Sequence, residues 1–193
     1  MAAPTPVLFV PECYADTAVT LTLLRENRAS QQRLLNFVNH AKGIKKVGSV
    51  MSGQPTGKSN ARRVVGVVDF DADFYEHPHL KGFTRQLGGG TERKQHAHIL
   101  LQHEVYRSQF IIALNPACEV WIIARLAELG KTPADFGLPN DFEEFKEHCK
   151  TQGVERDPRL RKLLAAVATA YHTAYRALAE FVADIMDLGR PLP

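Results

Sequence analysis

Four acidic side chains follow two hydrophobic runs of the chain, at the points where those runs stop. Glu12 comes after VLFV, and Asp69, Asp71 and Asp73 come after VVGVV. Carboxylate oxygens are ligands that Mg²⁺ and Mn²⁺ prefer, and one or two of them, with water and a substrate phosphate, commonly hold such an ion. If the strand continued through Asp73, alternation along it would turn all three aspartates the same way. The four residues are therefore candidate metal ligands.

Each acidic position also has a simpler explanation. Asp is a common turn former and helix cap after a strand, and Glu12 stands where it can interact favourably with the dipole of a following helix. Neighbouring carboxylates without a cation, however, raise one another's pKa because like charges oppose ionisation. A bound cation would remove that repulsion. A metal site and a set of turn residues both stay open at this point.

The hydrophobic patterns around these residues predict an α/β fold. VLFV is typical of a short buried strand, VVGVV of a central strand covered on both faces, and KKVGSVM at 45–51 of another strand. Further strands are expected at 98–102 and 109–114, with a long loop over 74–96. Ligand sites in open α/β sheets lie beyond the carboxyl ends of the strands, so Glu12 and the aspartates are expected to meet there.

The remaining segments have helical periodicity. We expect one helical stretch between Asp16 and Gly43, another after the Asn-Pro pair at 115–116, and a mostly helical C-terminal part. Residues 1–130 are predicted to form an α/β domain, and 131–193 a helical extension packed on it. The apolar stripe of that extension is either core or the surface of a homodimer or larger complex.

Composition excludes several classes of protein. A hydrophobic fraction of 45% and a charged fraction of 23% exclude wholesale disorder and fibrous architecture. The three cysteines form no CxxC pair, which argues against a disulfide framework or structural zinc site and fits a reducing compartment. No apolar run suits a signal peptide or membrane span, so we expect a cytoplasmic protein without a membrane partner. The net charge of +3 weakly favours anionic partners such as nucleic acid.

The two acidic motifs resemble those of the Toprim domain, which occurs in primases, topoisomerases, small ribonuclease-like proteins and OLD-type nucleases. That family has a Glu at the end of its first strand, matched by Glu12 in VLFVPECYADT. It also has a hydrophobic strand ending in DxD, matched by Asp69 and Asp71 in VVGVVDFDAD. The segment NPACEVWIIARL is similar to a helix start in RloB-like Toprim-containing defence proteins, which adds Glu119 as a further acid.

The likeness extends over roughly residues 7 to 125 and departs from the family pattern at two positions. Pro11 precedes the glutamate where the family runs its strand directly into that residue, and Cys13 follows where a Gly is common. The resemblance implies a Toprim-like, Rossmannoid sheet, mostly parallel and flanked by helices, with a helical C-terminal extension.

The same resemblance implies metal-dependent hydrolysis of phosphodiester bonds in DNA or RNA, with Mg²⁺ or Mn²⁺ as cofactor. Asp69 and Asp71 would be metal ligands, joined by Asp73 and Glu119, and Glu12 would act as general acid, general base or further ligand. The alternative is an accessory protein that keeps the fold and a metal- or nucleic-acid-binding site without catalysis. Basic residues available for phosphate groups are Lys58, Arg62, Arg63, Arg85, Arg93 and Lys94.

Two further patterns have simpler explanations. GQPTGKS resembles a P-loop, but its first Gly is one residue too close to Gly57 and a strand follows where a helix is needed. A small-molecule phosphotransferase using Lys58 is therefore a distant third hypothesis. His96, His98 and His103 have no carboxylate or cysteine at supporting spacing, and we expect them to be exposed.

Overall fold

A five-stranded sheet forms the centre of the fold. The computed structural model describes residues 7–26, 41–54, 62–89, 97–170 and 173–186. Its strands are β1 Val7–Pro11, β2 Arg63–Asp69, β3 Arg85–Gly89, β4 His98–Gln102 and β5 Gln109–Leu114. The order across the sheet is β1-β2-β5-β4-β3, so β2, β5 and β4 occupy interior positions.

The sheet is mixed. β2 pairs parallel with both β1 and β5, whereas β4 pairs antiparallel with both β5 and β3. The predicted α/β class is confirmed, but a mostly parallel sheet is not. Residues 103–108 are too few for the crossover of a dozen or more residues that a parallel β4–β5 pair would need.

Six α-helices lie within the described residues, together with short 3-10 helices. The α-helices are α1 Tyr14–Glu26, α2 Ile44–Ser52, α3 Cys118–Glu128, α4 Phe142–Lys150, α5 Pro158–Ala170 and α6 Thr173–Ile185. The 3-10 helices are Ala72–Tyr75, Leu80–Gly82, Pro133–Phe136 and Val154–Arg156. None of the helices in the described ranges has the length and apolar character that crossing a bilayer requires.

Hydrophobic clusters cover both faces of the sheet. Val65 and Val67 of β2 belong to the larger cluster, which includes apolar residues of α1 and α3 to α6. Val64 and Val68, on the opposite face, belong to a smaller cluster with α2. The alternation of β2 therefore buries it on both sides, as its near-continuous apolar sequence predicted.

The segment KKVGSVM forms helix α2, so the prediction of a strand over 45–51 was wrong. Ile44, Val47, Gly48 and Met51 are the buried residues of α2. Their spacing is that of one helical face, and Ile44 lies just outside the segment assigned to a strand. The same face contacts β2, where Gly66 leaves room for the Met51 sulfur.

Residues 74–89 hold more regular structure than the predicted loop. The chain forms the 3-10 helix Leu80–Gly82 and then edge strand β3, and residues 90–96 lie outside the described part. The sequence RQLGG of β3 is exposed and has little apolar alternation. Periodicity therefore gave no signal for it.

The apolar stripe of the C-terminal helices is core. Leu160, Leu163, Leu164, Val167 and Leu178 are buried and belong to the cluster that also contains β1 and α1 residues. These side chains are not available to a homodimer, so the structure does not support a dimer through this stripe. One continuous cluster joins residues on either side of residue 130, and the domain boundary there stays a prediction.

Candidate active site

Glu12 reaches from the end of β1 to the end of β2. Its amide donates a hydrogen bond to the Val67 carbonyl at 2.8 Å, which extends the parallel pairing one residue beyond β1. Its Oε2 accepts a hydrogen bond from the Asp69 amide at 3.2 Å. The structure thus brings together the two acids that the sequence places 57 positions apart.

Asp69 joins the end of β2 to the start of α3. Its Oδ1 accepts a hydrogen bond at 2.8 Å from the amide of Cys118, the first residue of α3. The unpaired amides of a helix N-terminus carry partial positive charge, which favours a carboxylate there. Glu119, the next residue of α3, is buried, and its charge acts on Asp69. The predicted acid on this helix therefore belongs to the same cluster.

Asp16 is a member of this cluster that the sequence reasoning missed. It lies fully buried in the first turn of α1, where its Oδ2 accepts a hydrogen bond from the Cys13 amide at 3.0 Å. That contact is a helix-capping one, but Oδ1 has no hydrogen-bond partner within the described residues. The signal that could have found it is the four-residue spacing from Glu12, across a turn that opens a helix.

Burial and mutual repulsion change the pKa of these carboxyl groups. Burial, followed by the charges of Asp16, Glu119 and Glu12, raises the pKa of Asp69 to about 9. Burial, then Asp16 and Asp71, raises the pKa of Glu12 to about 7. Burial also raises the pKa of Asp16 to about 6, against hydrogen bonds from cysteines. Full ionisation of the cluster at neutral pH therefore needs a positive counter-charge.

Asp71 and Asp73 do not continue the strand, so the predicted ladder of three aspartates was wrong. β2 ends at Asp69, and Asp71 caps the 3-10 helix Ala72–Tyr75 with its Oδ1 2.9 Å from the Asp73 amide. Both residues are exposed. The charge of Asp71 reaches Glu12. Asp71 therefore borders the buried acids, and Asp73 lies one turn beyond them.

A cavity of about 670 Å³ opens beside Glu12. Lys42, Lys45, Lys46 and Asp73 line it, together with the first residues of α2. The chain is fixed there because the Gly43 amide donates to the Glu12 carbonyl at 3.0 Å. Sequence reasoning did not single out these lysines, although the pattern KGIKK clusters three of them. They give the acids a positively charged neighbour.

The predicted phosphate-binding residues lie elsewhere or outside the described part. Arg63 begins β2, so it stands roughly 20 Å from Asp69 at about 3.3 Å per residue, with Arg62 beside it. Its guanidinium donates to the Ile185 carbonyl. Arg85 donates to Gln102 at 2.9 Å on the far side of the sheet. The remaining predicted residues, Lys58, Arg93 and Lys94, lie outside the described residues.

The donor chemistry of the cluster suits a hard divalent cation. Its ligands are carboxylate oxygens, one of them a buried oxygen without a hydrogen-bond partner, and their ionisation is opposed by like charge. The geometry is less complete. Across the described ranges, no three His, Cys, Asp or Glu side chains form a group able to hold a metal ion as they stand. The chemistry of Asp16, Asp69 and Glu119 therefore fits a cation, whereas their placement requires side-chain movement.

The prediction of exposed histidines was wrong for His98 and His103. His98 is 3% exposed within β4, with neither ring nitrogen hydrogen-bonded among the described residues. Burial, with the charge of Arg125, lowers its pKa to about 4. His103 is also buried, and its Nδ1 accepts from the amides of Val105 and Tyr106. Neither ring belongs to the acidic cluster, and His96 lies outside the described residues.

Comparison of the chain with protein-family models, curated proteins and solved structures finds no match.

Proposed function

We propose that this chain is a Toprim-type nuclease that hydrolyses phosphodiester bonds in DNA or RNA with Mg²⁺ or Mn²⁺. The observation that carries the proposal is the contact between Glu12 and Asp69, at the carboxyl ends of adjacent parallel strands. The two motifs of the Toprim pattern require this meeting. The parallel β1–β2–β5 unit, covered by helices on both faces, supports a Toprim-like fold.

Each acid has a distinct position in the proposed mechanism. Asp16 and Glu119 would offer buried oxygens to the cation, Asp69 a half-buried one, and the exposed Asp71 one from the solvent side. When bound, the cation supplies positive charge for the phosphate and Lewis acidity for an attacking water. Glu12 lines the cavity by which a substrate would approach, so it is placed to take up or deliver a proton there.

The lysines of the same cavity replace the predicted arginines as contacts for the scissile strand. Lys42 and Lys46 line the space beside Glu12, and ammonium groups there attract the phosphate groups of nucleic acid. Lys45 is ion-paired with Glu76 at 2.9 Å, an exposed contact that a phosphate can compete for. The similarity of NPACEVWIIARL to RloB-like proteins supports a role in nucleic-acid processing or defence.

A catalytically silent accessory protein is the second candidate. The observation that favours it is the lack, within the described ranges, of three side chains already grouped to hold a metal ion. In that case the cluster would bind a cation or nucleic acid without cleaving it. Cation binding without turnover would distinguish this candidate from the nuclease.

Cleavage assays test both candidates. Single-stranded RNA and DNA are incubated with the full chain in Mn²⁺, Mg²⁺ or EDTA. The nuclease proposal predicts cleavage that requires the metal and is lost in Glu12→Gln and Asp69→Asn. Asp141→Asn is the matched control, because Asp141 caps α4 away from the cluster and Asn caps a helix about as well. Metal-independent cleavage, or full activity in Asp69→Asn, would refute the proposal.

The phosphotransferase hypothesis is tested in the same series. Lys58→Ala should leave metal-dependent cleavage within a few-fold of the wild type if the carboxylates carry the reaction. Activity lost in Lys58→Ala but kept in Asp69→Asn would instead support the phosphotransferase.

A further inference from the structure

A second cavity, of about 360 Å³, lies on the α2 face of the sheet over β3 and β4. Ile99 and Leu101 form its floor, and aromatic and polar side chains form its walls. The lining residues are Phe70, Tyr75, Phe83, Thr84, Gln86, Ile99 and Leu101. Its volume is near the lower end of the roughly 300–1,000 Å³ typical of small-ligand sites, enough for one planar ring system.

Two aromatic rings of the cavity wall, Phe70 and Tyr75, pack against the buried ring of Phe74. The Phe70 ring centroid lies 5.1 Å from that of Phe74 and 6.1 Å from that of Tyr75. Phe74 is fully buried and meets Tyr75 edge-on at 4.8 Å. Tyr75 is nevertheless 48% exposed. The wall is thus held by the core while one ring remains open to a stacking partner.

Two polar side chains complete the lining. Thr84 contributes a hydroxyl, which donates to Glu104 at 3.4 Å, and Gln86 a carboxamide, whose NH₂ group donates to the Gly89 carbonyl at 3.0 Å. Their oxygens can still accept hydrogen bonds from a ligand in this largely apolar space. A nucleobase combines a flat aromatic surface with donors and acceptors along its edge. Proteins that bind single strands stack such bases on aromatic side chains. The chemistry of the lining therefore matches a base better than a purely aliphatic ligand.

The cavity adjoins the acidic cluster through a single residue. Phe70 lies between Asp69 and Asp71, and its amide donates to the Leu114 carbonyl at 2.9 Å. A base held against Phe70, on the α2 face, would direct its own backbone phosphates toward the carboxyl end of β2, where Asp71 is exposed. We propose that this cavity binds one unstacked nucleobase of a single-stranded substrate whose phosphodiester lies at the acidic cluster. This inference rests on the proposed nuclease function and adds its substrate class.

A continuous duplex does not fit this arrangement. Bases inside a double helix are paired and stacked, so their faces and edges are not available to a pocket of this size. A loop, bulge, end or single strand presents a base without that cost. The substrate class inferred is therefore single-stranded nucleic acid, or an unpaired position within a structured one.

Binding with and without a base at the relevant position tests the inference. The full chain is titrated into a fluorescently labelled single-stranded oligonucleotide, and into an abasic strand of equal length and charge, in EDTA and low salt. The abasic strand should bind roughly 5- to 100-fold more weakly, the loss expected for removing one stacked base. Equal affinity for the two strands, or no measurable binding of either, would overturn the proposal.

Variants of the cavity wall test whether the preference for the base-bearing strand depends on Tyr75. Tyr75→Ala should reduce the preference for the base-bearing strand by a similar factor, whereas Tyr75→Phe keeps the ring and the preference. Phe142→Ala is the matched control, because Phe142 is 39% exposed on α4 and lines neither cavity. A preference that survives in Tyr75→Ala would place the base elsewhere, and a duplex bound as tightly as the single strand would also contradict the pocket.

The outcome is separable from that of the nuclease proposal. Binding in EDTA does not depend on cleavage, so a base preference lost in Tyr75→Ala supports the pocket even if no cleavage occurs. Metal-dependent cleavage lost in Asp69→Asn, together with equal binding of both strands, would keep the nuclease and refute the pocket.

Discussion

The fully buried carboxyl group of Asp16 and the half-buried one of Asp69 belong to one electrostatic cluster. After burial, the charge of Asp16 is the largest influence that raises the pKa of Asp69. The two residues come from the first turn of α1 and the end of β2, each fixed by a hydrogen bond to a backbone amide. The fold therefore holds like charges together, and neutralising one of them should favour the folded state.

Asp69→Asn should stabilise the metal-free protein while abolishing cleavage. The amide can still accept the hydrogen bond from Cys118, and it removes a carboxyl group whose ionisation the fold opposes. A gain of about 1 kcal/mol raises Tm by roughly 2–4 °C for a chain of this size. Loss of an essential group should lower the cleavage rate by about 10²–10⁴-fold. Thermal melts in EDTA and cleavage assays measure the two effects.

Asp141→Asn controls for the removal of any carboxylate, and its melting temperature and activity should match the wild type. A lower Tm for Asp69→Asn, with Asp141→Asn unchanged, would mean that Asp69 stabilises the fold as an anion.

The stability of the metal-free protein should fall as pH rises from about 4 to about 9. Asp69, Glu12 and Asp16 have pKa values raised to about 9, about 7 and about 6, against ordinary values of 3.8, 4.5 and 3.8. Within this window the folded state binds more protons than the unfolded state, so stability decreases with pH. Urea unfolding across the range measures the slope. In Asp69→Asn the slope should be shallower, and an equal slope would count against the assigned pKa.

Divalent cations should restore the stability that the metal-free protein loses as pH rises. An ion that binds the folded state raises the free energy of unfolding by about 2.7 kcal/mol at a concentration 100-fold above its Kd. Mn²⁺ or Mg²⁺ should therefore raise Tm more at alkaline than at acidic pH, because the ligands must be deprotonated. The gain should disappear in Asp69→Asn. An equal gain in that variant would indicate binding away from the cluster.

Gly66→Ala should destabilise the sheet–helix interface. An added methyl group would meet Ile111 Cδ1 at 2.5 Å and Met51 Sδ at 3.0 Å, between β2 and α2. Overpacking of this kind costs about 1–3 kcal/mol. Urea denaturation should report a lower midpoint with an unchanged m-value. Ala72→Gly removes a methyl group at an exposed position of a 3-10 helix, outside the core. It should lower the free energy of unfolding less than Gly66→Ala does.

His98→Gln should reduce the sensitivity of the fold to acid. Burial and the charge of Arg125 lower the pKa of His98 to about 4 from its ordinary value of 6.5. The unfolded state therefore binds the extra proton first, and stability is lost as pH falls through this window. Relative to the wild type, the variant should gain free energy of unfolding as pH falls from about 7 to about 4. No gain relative to the wild type would mean that protonation of this ring does not affect the stability of the fold.

The centre of the sheet could be predicted from sequence because its strands are strongly apolar and end abruptly. HILLQ and QFIIAL form β4 and β5 over the predicted residues, and VVGVV lies within β2. KKVGSVM was misassigned because a seven-residue apolar pattern fits either a strand or one helical face. Ile44, the next buried position of the helix, lies just outside that window.

The candidate site was only partly predictable for a related reason. Glu12 and Asp69 follow strand ends, and parallel pairing brings such ends together. Asp16 sits inside a helical pattern, where an acid ordinarily caps or faces solvent, so only its burial in the fold makes it part of the cluster. Arg63 is six residues from Asp69 in sequence, yet the extended strand separates their ends. Proximity in sequence is a poor guide along a strand.

Parallel pairing also determines when the acidic cluster can form during synthesis. Val7 pairs with Arg63, and Val64 pairs with Gln109. Each strand that pairs with β2 is therefore far from it in sequence. Such non-local contacts form slowly because the intervening chain must be closed first. A nascent chain that has not yet emerged through Glu119 lacks a member of the cluster. The chemistry assigned to this site can therefore begin only after residue 119 has left the ribosome.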